Sequence, residues 1–108
     1  MRMRTITLNN RVMEIDQESW PFICSKSLTR AGVSYFLGAR QHRDGRVIVY
    51  GTVLGEEEGR TGELLDNPND EDLLDSLATV ACHLDAYGDP RIVDKLYNKC
   101  LSVVEGRK

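Results

Sequence analysis

No stretch of this chain approaches the roughly 20 consecutive apolar residues that a membrane-spanning helix requires, so the sequence offers no transmembrane segment. The N-terminus, Met-Arg-Met-Arg-Thr-Ile-Thr-Leu-Asn-Asn, is basic but has neither the apolar core nor the small-residue cleavage site of a secretory signal, which points to a cytoplasmic protein. Cysteine is scarce. Cys24, Cys82 and Cys100 are odd in number and far apart, with no Cys-x-x-Cys pair, which argues against a zinc site and against a disulfide framework. They read as reduced thiols of the kind usually found buried. Nor does the chain contain G-x-S-x-G, H-E-x-x-H or a phosphate-binding loop. The reading therefore expects no cofactor, no metal and no catalytic residue.

What is present is ordinary for a folded protein: 41% of the 108 residues are hydrophobic and 29% charged. A chain of this length buries one core without covalent staples, so residues 1–108 are read as a single domain. The net charge of −3 conceals an asymmetry. Residues 1–50 carry eight Arg and Lys against four Asp and Glu, whereas residues 51–75 carry nine acids against Arg60 alone. The last third is nearly balanced.

Alternation and turn residues predict an antiparallel meander of about four to five strands over residues 1–54. Thr5–Leu8 and Arg11–Ile15 flank Asn9-Asn10, a pair suited to a tight hairpin, with Ile6, Leu8, Met13 and Ile15 on its core face. Phe22–Leu28 follows Trp20-Pro21 as a third strand, and Thr29–Gly32 reads as the next turn. Val33–His42 and Arg46–Leu54 are the clearest strands, rich in β-branched and aromatic residues. Residues 55–69 read as an acidic loop.

Two helices are predicted over 70–105, forming an αα-hairpin on one face of the sheet, an α+β fold. Asn69 or Asp70 caps the first, whose stripe is Leu73, Leu74, Leu77, Val80, Ala81, Leu84 and Tyr87. Gly88 ends it, Asp89 caps the second and Pro90 opens it. The second helix carries a wide apolar arc from Ile92 to Val104, which needs two partners: the sheet, and either the first helix or another molecule. Ala78, Cys82 and Ala86 form a line of small residues along which a second helix could approach, so a homodimer through the helices stays open.

One tripeptide looks like chemistry. His42-Arg43-Asp44 opens the catalytic loop of protein kinases, but Gly45 follows and Val49 stands where that loop needs a metal-binding Asn. Asp44-Gly45 is instead a hairpin signal. The tip has a second reading: Arg40, His42, Arg43 and Arg46 cluster there, and a basic β-ribbon can grip nucleic acid. An acidic chain lacks the broad basic field that phosphate binding requires, so direct nucleic-acid binding is the weaker alternative. A two-residue turn at Asp44-Gly45 would pair Gly38 with Gly51 and place Phe36, Arg40, Val49 and Val53 on the same face, partly apolar and outside the helices' cover. A bulged turn would shift this register by one residue.

The acidic segment offers a third surface. Glu56, Glu57, Glu58, Asp66, Asp70, Glu71 and Asp72 could steer a basic partner. The crowded Asp66–Asp72 stretch is no calcium loop, because Pro68 interrupts it and the required Gly is missing. Cys82 and His83 adjoin, but helical neighbours point about 100° apart, which is unsuited to a Cys–His pair.

In profile, a short acidic chain without catalytic signatures is similar to the small inhibitors that phages and other mobile elements direct against bacterial defence systems, anti-CRISPR proteins among them. That likeness rests on no motif and transfers no residue. The expected function is a non-enzymatic protein-binding module, an inhibitor or regulator of a nucleic-acid-handling complex, whose partner is another protein with a basic surface. Alternatives are a nucleic-acid-binding regulator using 40–46, and a small enzyme or ligand-binding domain with a pocket between helices and sheet.

Overall fold

In the computed structural model, residues 2–8, 11–53, 56–85 and 88–106 are described, with the backbone alone for 56–60. The fold is α+β, as the sequence predicts. It has six strands, β1 (Met3–Thr7), β2 (Val12–Asp16), β3 (Phe22–Arg30), β4 (Val33–Gln41), β5 (Val47–Val53) and β6 (Glu56–Leu65), followed by α1 (Asp70–Leu84) and α2 (Pro90–Gly106). The strands form two antiparallel sheets: the hairpin β1-β2, and a four-stranded sheet in the order β3-β4-β5-β6. Among the described residues, no helix is long and apolar enough to cross a membrane.

The predicted opening hairpin forms, with Ile6 opposite Met13 and Arg4 opposite Ile15. It does not continue the meander. Instead Ile6, Leu8 and Ile15 lie with Trp20, Ile48 and Tyr50 in a core on one face of the large sheet. Tyr35, Leu37, Ala39, Val47, Val49 and Val53 point to the other face, into a second core closed by Leu77, Val80, Leu84, Val93, Leu96 and Cys100 of the helices. The sheet is thus covered on both faces. Each face alternates along the strand, as a period of two demands.

Two sequence expectations are corrected here. The segment read as an acidic loop contains β6, with Val47 opposite Leu65 and Gly51 opposite Thr61. The cause is β5, whose seven residues are all buried. A strand enclosed on both faces cannot leave one edge of backbone N–H and C=O groups unpaired without large cost. Gly62, within the stretch read as a loop, is what the close packing requires. A Cβ there would lie 2.8 Å from Val49 O and 3.0 Å from Leu8 Cδ2.

The register of β4 and β5 is the second correction. Gly38 pairs with Tyr50 and Gly51 with Leu37, so the two glycines are not opposite each other. The turn has three residues, Arg43-Asp44-Gly45. Gly45 N donates to His42 O (2.9 Å), His42 N donates to Arg46 O (2.9 Å) and Gly45 takes φ +102°. This is the bulged form of the hairpin, with glycine in the position that no side chain favours. One residue of slip exchanges faces along a whole strand. Val49 and Val53 therefore face the helices while Phe36 and Arg40 face the hairpin.

Asn69 caps α1 through a capping box: Asp72 N donates to Asn69 Oδ1 (2.8 Å) and Asn69 N to Asp72 Oδ2 (3.4 Å). At α2, Asp89 Oδ1 accepts from Arg91 N (2.9 Å). The Arg91 guanidinium and backbone N–H hold the Asp89 carboxyl below its ordinary value, aided by Arg30 at 3.0 Å. The arc of α2 meets both β3 and α1, leaving Val103 36% exposed. Tyr87, Ala86 and Leu54 lie outside the described residues.

Packing at Gly62 predicts that Gly62→Ala lowers stability by about 1–3 kcal/mol in urea unfolding, because backbone rather than a flexible side chain blocks the new methyl. Gly106→Ala, where nothing lies within 4 Å, leaves it nearly unchanged. Asp85, at the C-terminal end of α1, has Oδ1 buried without a hydrogen-bond partner. Burial, and then the charge of Asp94, raises its carboxyl above the ordinary 3.8. A raised folded value favours the protonated form, so this group stabilises the fold only at low pH and its contribution disappears as pH rises through that value. Asp85→Asn is expected to raise the melting temperature at pH 7, with the gain shrinking as pH falls through the raised value towards 3.8 and gone below it.

Candidate functional site

Three connections converge on one end of the large sheet. The β4–β5 turn lies there beside the β6–α1 connection, with a Cβ at Gly45 falling 2.8 Å from Asn67 Oδ1. The segment between β2 and β3 completes the group, since Gln41 N donates to Pro21 O (3.0 Å). Asp16 shapes this segment by accepting from Glu18 N and from Ser19 Oγ, both at 3.0 Å.

Between the β2–β3 segment and the β4–β5 tip runs an open cleft of about 950 Å³, lined by Asp16, Glu18, Ser19, Phe22, His42 and Arg43 among others. Its aromatic wall was not foreseen. Phe22 is 44% exposed, and its ring rests on the Arg40 guanidinium at 3.6 Å and on Phe36 at 6.0 Å. The dipeptides Trp20-Pro21 and Pro21-Phe22 were the available signal: two large rings beside a residue that enforces extended chain.

Arg40 is 5% exposed. Its Nη1 donates to Trp20 O (2.8 Å) and its Nε to Tyr50 Oη (3.2 Å). None of the ion pairs among the described residues involves it. It works as a buried cation held by a carbonyl, a phenol and a ring face. The basic cluster foreseen at 40–46 is thereby broken up. Arg46 is engaged too: its N–H and Nε donate to Asp44 at 3.0 and 2.9 Å, and its guanidinium sits 5.1 Å from the Trp20 ring. Arg46's backbone N–H, then its guanidinium, keep the Asp44 carboxyl below the ordinary value. Arg43 is left as the exposed cation of the tip.

His42 lines the cleft, its ring packed against Trp20 at 5.1 Å and inclined to it by 59°. Its Nδ1 accepts from Asp44 N (3.1 Å) and lies 3.1 Å from Asp44 Oδ2. Ser19 shares the cleft, but its hydroxyl proton goes to Asp16 rather than to the imidazole, so the two do not form a nucleophile and base. His83 meets Thr61 Oγ1 at 3.1 Å. Cys82 is exposed, whereas Cys24 and Cys100 are buried against each other. The hydrogen bond to Cys24, and then burial, push the Cys100 thiol far above its ordinary range. Such a thiol is a core residue, not a nucleophile.

The foreseen partner face is not a surface. Gly38, Arg40, Val49, Gly51 and Val53 are buried and Phe36 is half-buried; the register shift places them on opposite faces under two separate covers.

The acidic segment fares differently. Asp66, Glu71 and Asp72 are exposed and Asp70 is half-buried. Glu56, Glu57 and Glu58 lie in β6, and their side chains are outside the described set. Beside α1 is a groove of about 270 Å³ lined by Glu63, Asp66, Asp72 and Asp75, with Leu65 and Pro68 and, among the described residues, no basic side chain. Glu63 and Asp75 were not singled out from sequence. Strand pairing brings Glu63 to the helix, where its Oε1 accepts from Ser76 Oγ (3.0 Å). Among the described residues, no group of three or more His, Cys, Asp or Glu is arranged to hold a metal ion. Comparison with protein-family profiles, characterised proteins and solved structures finds no match to this chain.

The geometry of Arg40 predicts that Arg40→Met, similar in length but without donors, costs roughly 2–3 kcal/mol by leaving the Trp20 carbonyl and the Tyr50 hydroxyl unsatisfied. Denaturant unfolding measures the loss. Tryptophan fluorescence should shift to the red as Trp20, now 4% exposed, gains water.

Proposed function

We propose that this chain is a non-enzymatic protein-binding module that recognises a basic surface of another protein through its acidic end. The observation that carries this reading is the groove beside α1, where four carboxylates meet with no basic residue among the described lining. Like charges held together on a fixed scaffold raise the local potential and favour a partner that brings Lys or Arg. Leu65 and Pro68 supply apolar floor for the stems of such side chains. Phe22, exposed at the same end and held from below by Arg40, is the aromatic anchor such interfaces concentrate around.

A basic partner surface is what nucleic-acid-handling proteins present, so an inhibitor or regulator of such a complex fits this chemistry. Action of the anti-CRISPR kind is one form of it. The competing nucleic-acid reading is weakened by the burial of Arg40 and the pairing of Arg46 with Asp44.

The test is affinity capture from the native cell with mass spectrometry of co-purifying proteins. Asp66→Lys with Asp75→Lys, at two exposed positions, should reduce recovery of the partner by roughly tenfold and lessen its dependence on salt. Equal recovery by the double variant would rule the acidic groove out.

A further inference from the structure

The N-terminal hairpin has an unused edge. Leu8 N donates to Arg11 O (2.7 Å) and Gln17 N to Arg2 O (2.8 Å), which with the pairing of Ile6 to Met13 sets the even-numbered residues of β1 as the hydrogen-bonded partners of β2. In an antiparallel pair these positions alternate. The N–H and C=O groups of Met3, Thr5 and Thr7 therefore point away from β2, and no other described strand pairs with β1.

A groove of about 340 Å³ runs along that edge, lined by the five consecutive residues Met3–Thr7 and by Tyr50, Gly51 and Thr52 of β5. Consecutive residues line a groove only when the strand presents its edge rather than a face. Two features give the groove chemical character. Arg4 lies over the Tyr50 ring at 5.6 Å and, among the described residues, is the one formal charge in the lining. Thr52, 7% exposed, keeps a buried hydroxyl with no hydrogen-bond partner, which is costly unless something meets it.

We propose that the free edge of β1 accepts an extended segment of another protein as a third strand of the small sheet, with an acidic side chain of that segment seated between Arg4 and Thr52. Main-chain pairing supplies affinity and the seated carboxylate supplies selectivity, as in other cases of strand addition. A two-stranded hairpin is marginal by itself, so a third strand also firms the cover over the Ile48 and Tyr50 face. A second copy of this chain is the poorer occupant, because β1 reads Met-Arg-Thr-Ile-Thr and brings no acid to Arg4. The site is separate from the acidic groove and of opposite charge, so its fate does not depend on that reading.

The probe is a phage-displayed library of random nonapeptides panned on the full chain, with the best binder then synthesised. Selection should enrich extended sequences with Asp or Glu at one fixed position. In amide NMR spectra, the bound peptide should shift Met3, Thr5 and Thr7 and slow their hydrogen exchange. Thr52→Val and Arg4→Gln, each checked for an unchanged melting profile or better, should each weaken it roughly tenfold, the scale of one charge-assisted hydrogen bond. Absence of any enriched binder, shifts mapping elsewhere, or equal binding by both variants would overturn the proposal. So would concentration-dependent shifts at β1 without peptide, which would assign the edge to a second copy.

Discussion

Complete burial of β5 organises the molecule. Val47–Val53 exposes none of its residues, and Ile48 and Val49 are inaccessible altogether. Such a strand needs a cover on each face and a partner on each edge. β4 and β6 supply the edges, the helices cover Val47, Val49 and Val53, and the N-terminal hairpin covers Ile48 and Tyr50. Small residues appear where the layers come closest. A Cβ at Gly51 would meet Leu84 Cδ1 at 2.6 Å, and Gly62 is closed in by Val49 and Leu8. The glycines in this sheet mark contact between layers rather than flexibility.

The same enclosure decides where function can reside. A sheet with both faces covered has no free face for a partner, leaving loop ends, grooves between layers and strand edges. Side chains with chemical potential are mostly held by internal partners: Arg40 by Trp20 and Tyr50, His42 by Asp44, Cys100 by Leu37 O at 3.7 Å and by Cys24. These contacts anchor the β2–β3 segment and the β4–β5 tip, which explains how a loop-built end can present a fixed surface.

Much of this was legible in the chain. Asn69 with Asp72, and Asp89 with Pro90, are local capping signals whose geometry depends on four or five residues, and both helices begin where those residues say. The pairing of β1 with β2 follows from a local signal too, the apolar alternation on each side of Asn9 and Asn10, which themselves lie outside the described residues. What was not legible depended on contacts distant in sequence. Nothing local distinguishes Glu56–Leu65 from a loop; the need for a strand there arises from the open edge of β5. Asp44-Gly45 suits two-residue and three-residue turns alike. The choice falls to the three-residue form, which sends Arg40 to Trp20 and gives the helices an uncharged, largely aliphatic face. A continuous apolar run such as Val47–Tyr50 was the clue to a doubly covered strand.

That one-residue choice also explains why the candidate site moved. With the two-residue turn, Phe36, Arg40 and the glycines would have formed a flat face open to a partner. With the observed turn, Arg40 is drawn under Phe22, and the ring is held outward at the rim of the cleft. Exposing an aromatic ring forgoes the burial that usually makes such residues stabilising, yet here three elements hold it in place: β4 through Phe36, the guanidinium of Arg40, and the bulge between Phe22 and Cys24 that turns the start of β3. A side chain so restrained loses little conformational freedom when a partner covers it. Rigidity at Phe22 and like charge beside α1 are therefore two consequences of one packing solution. Both follow from the burial of β5.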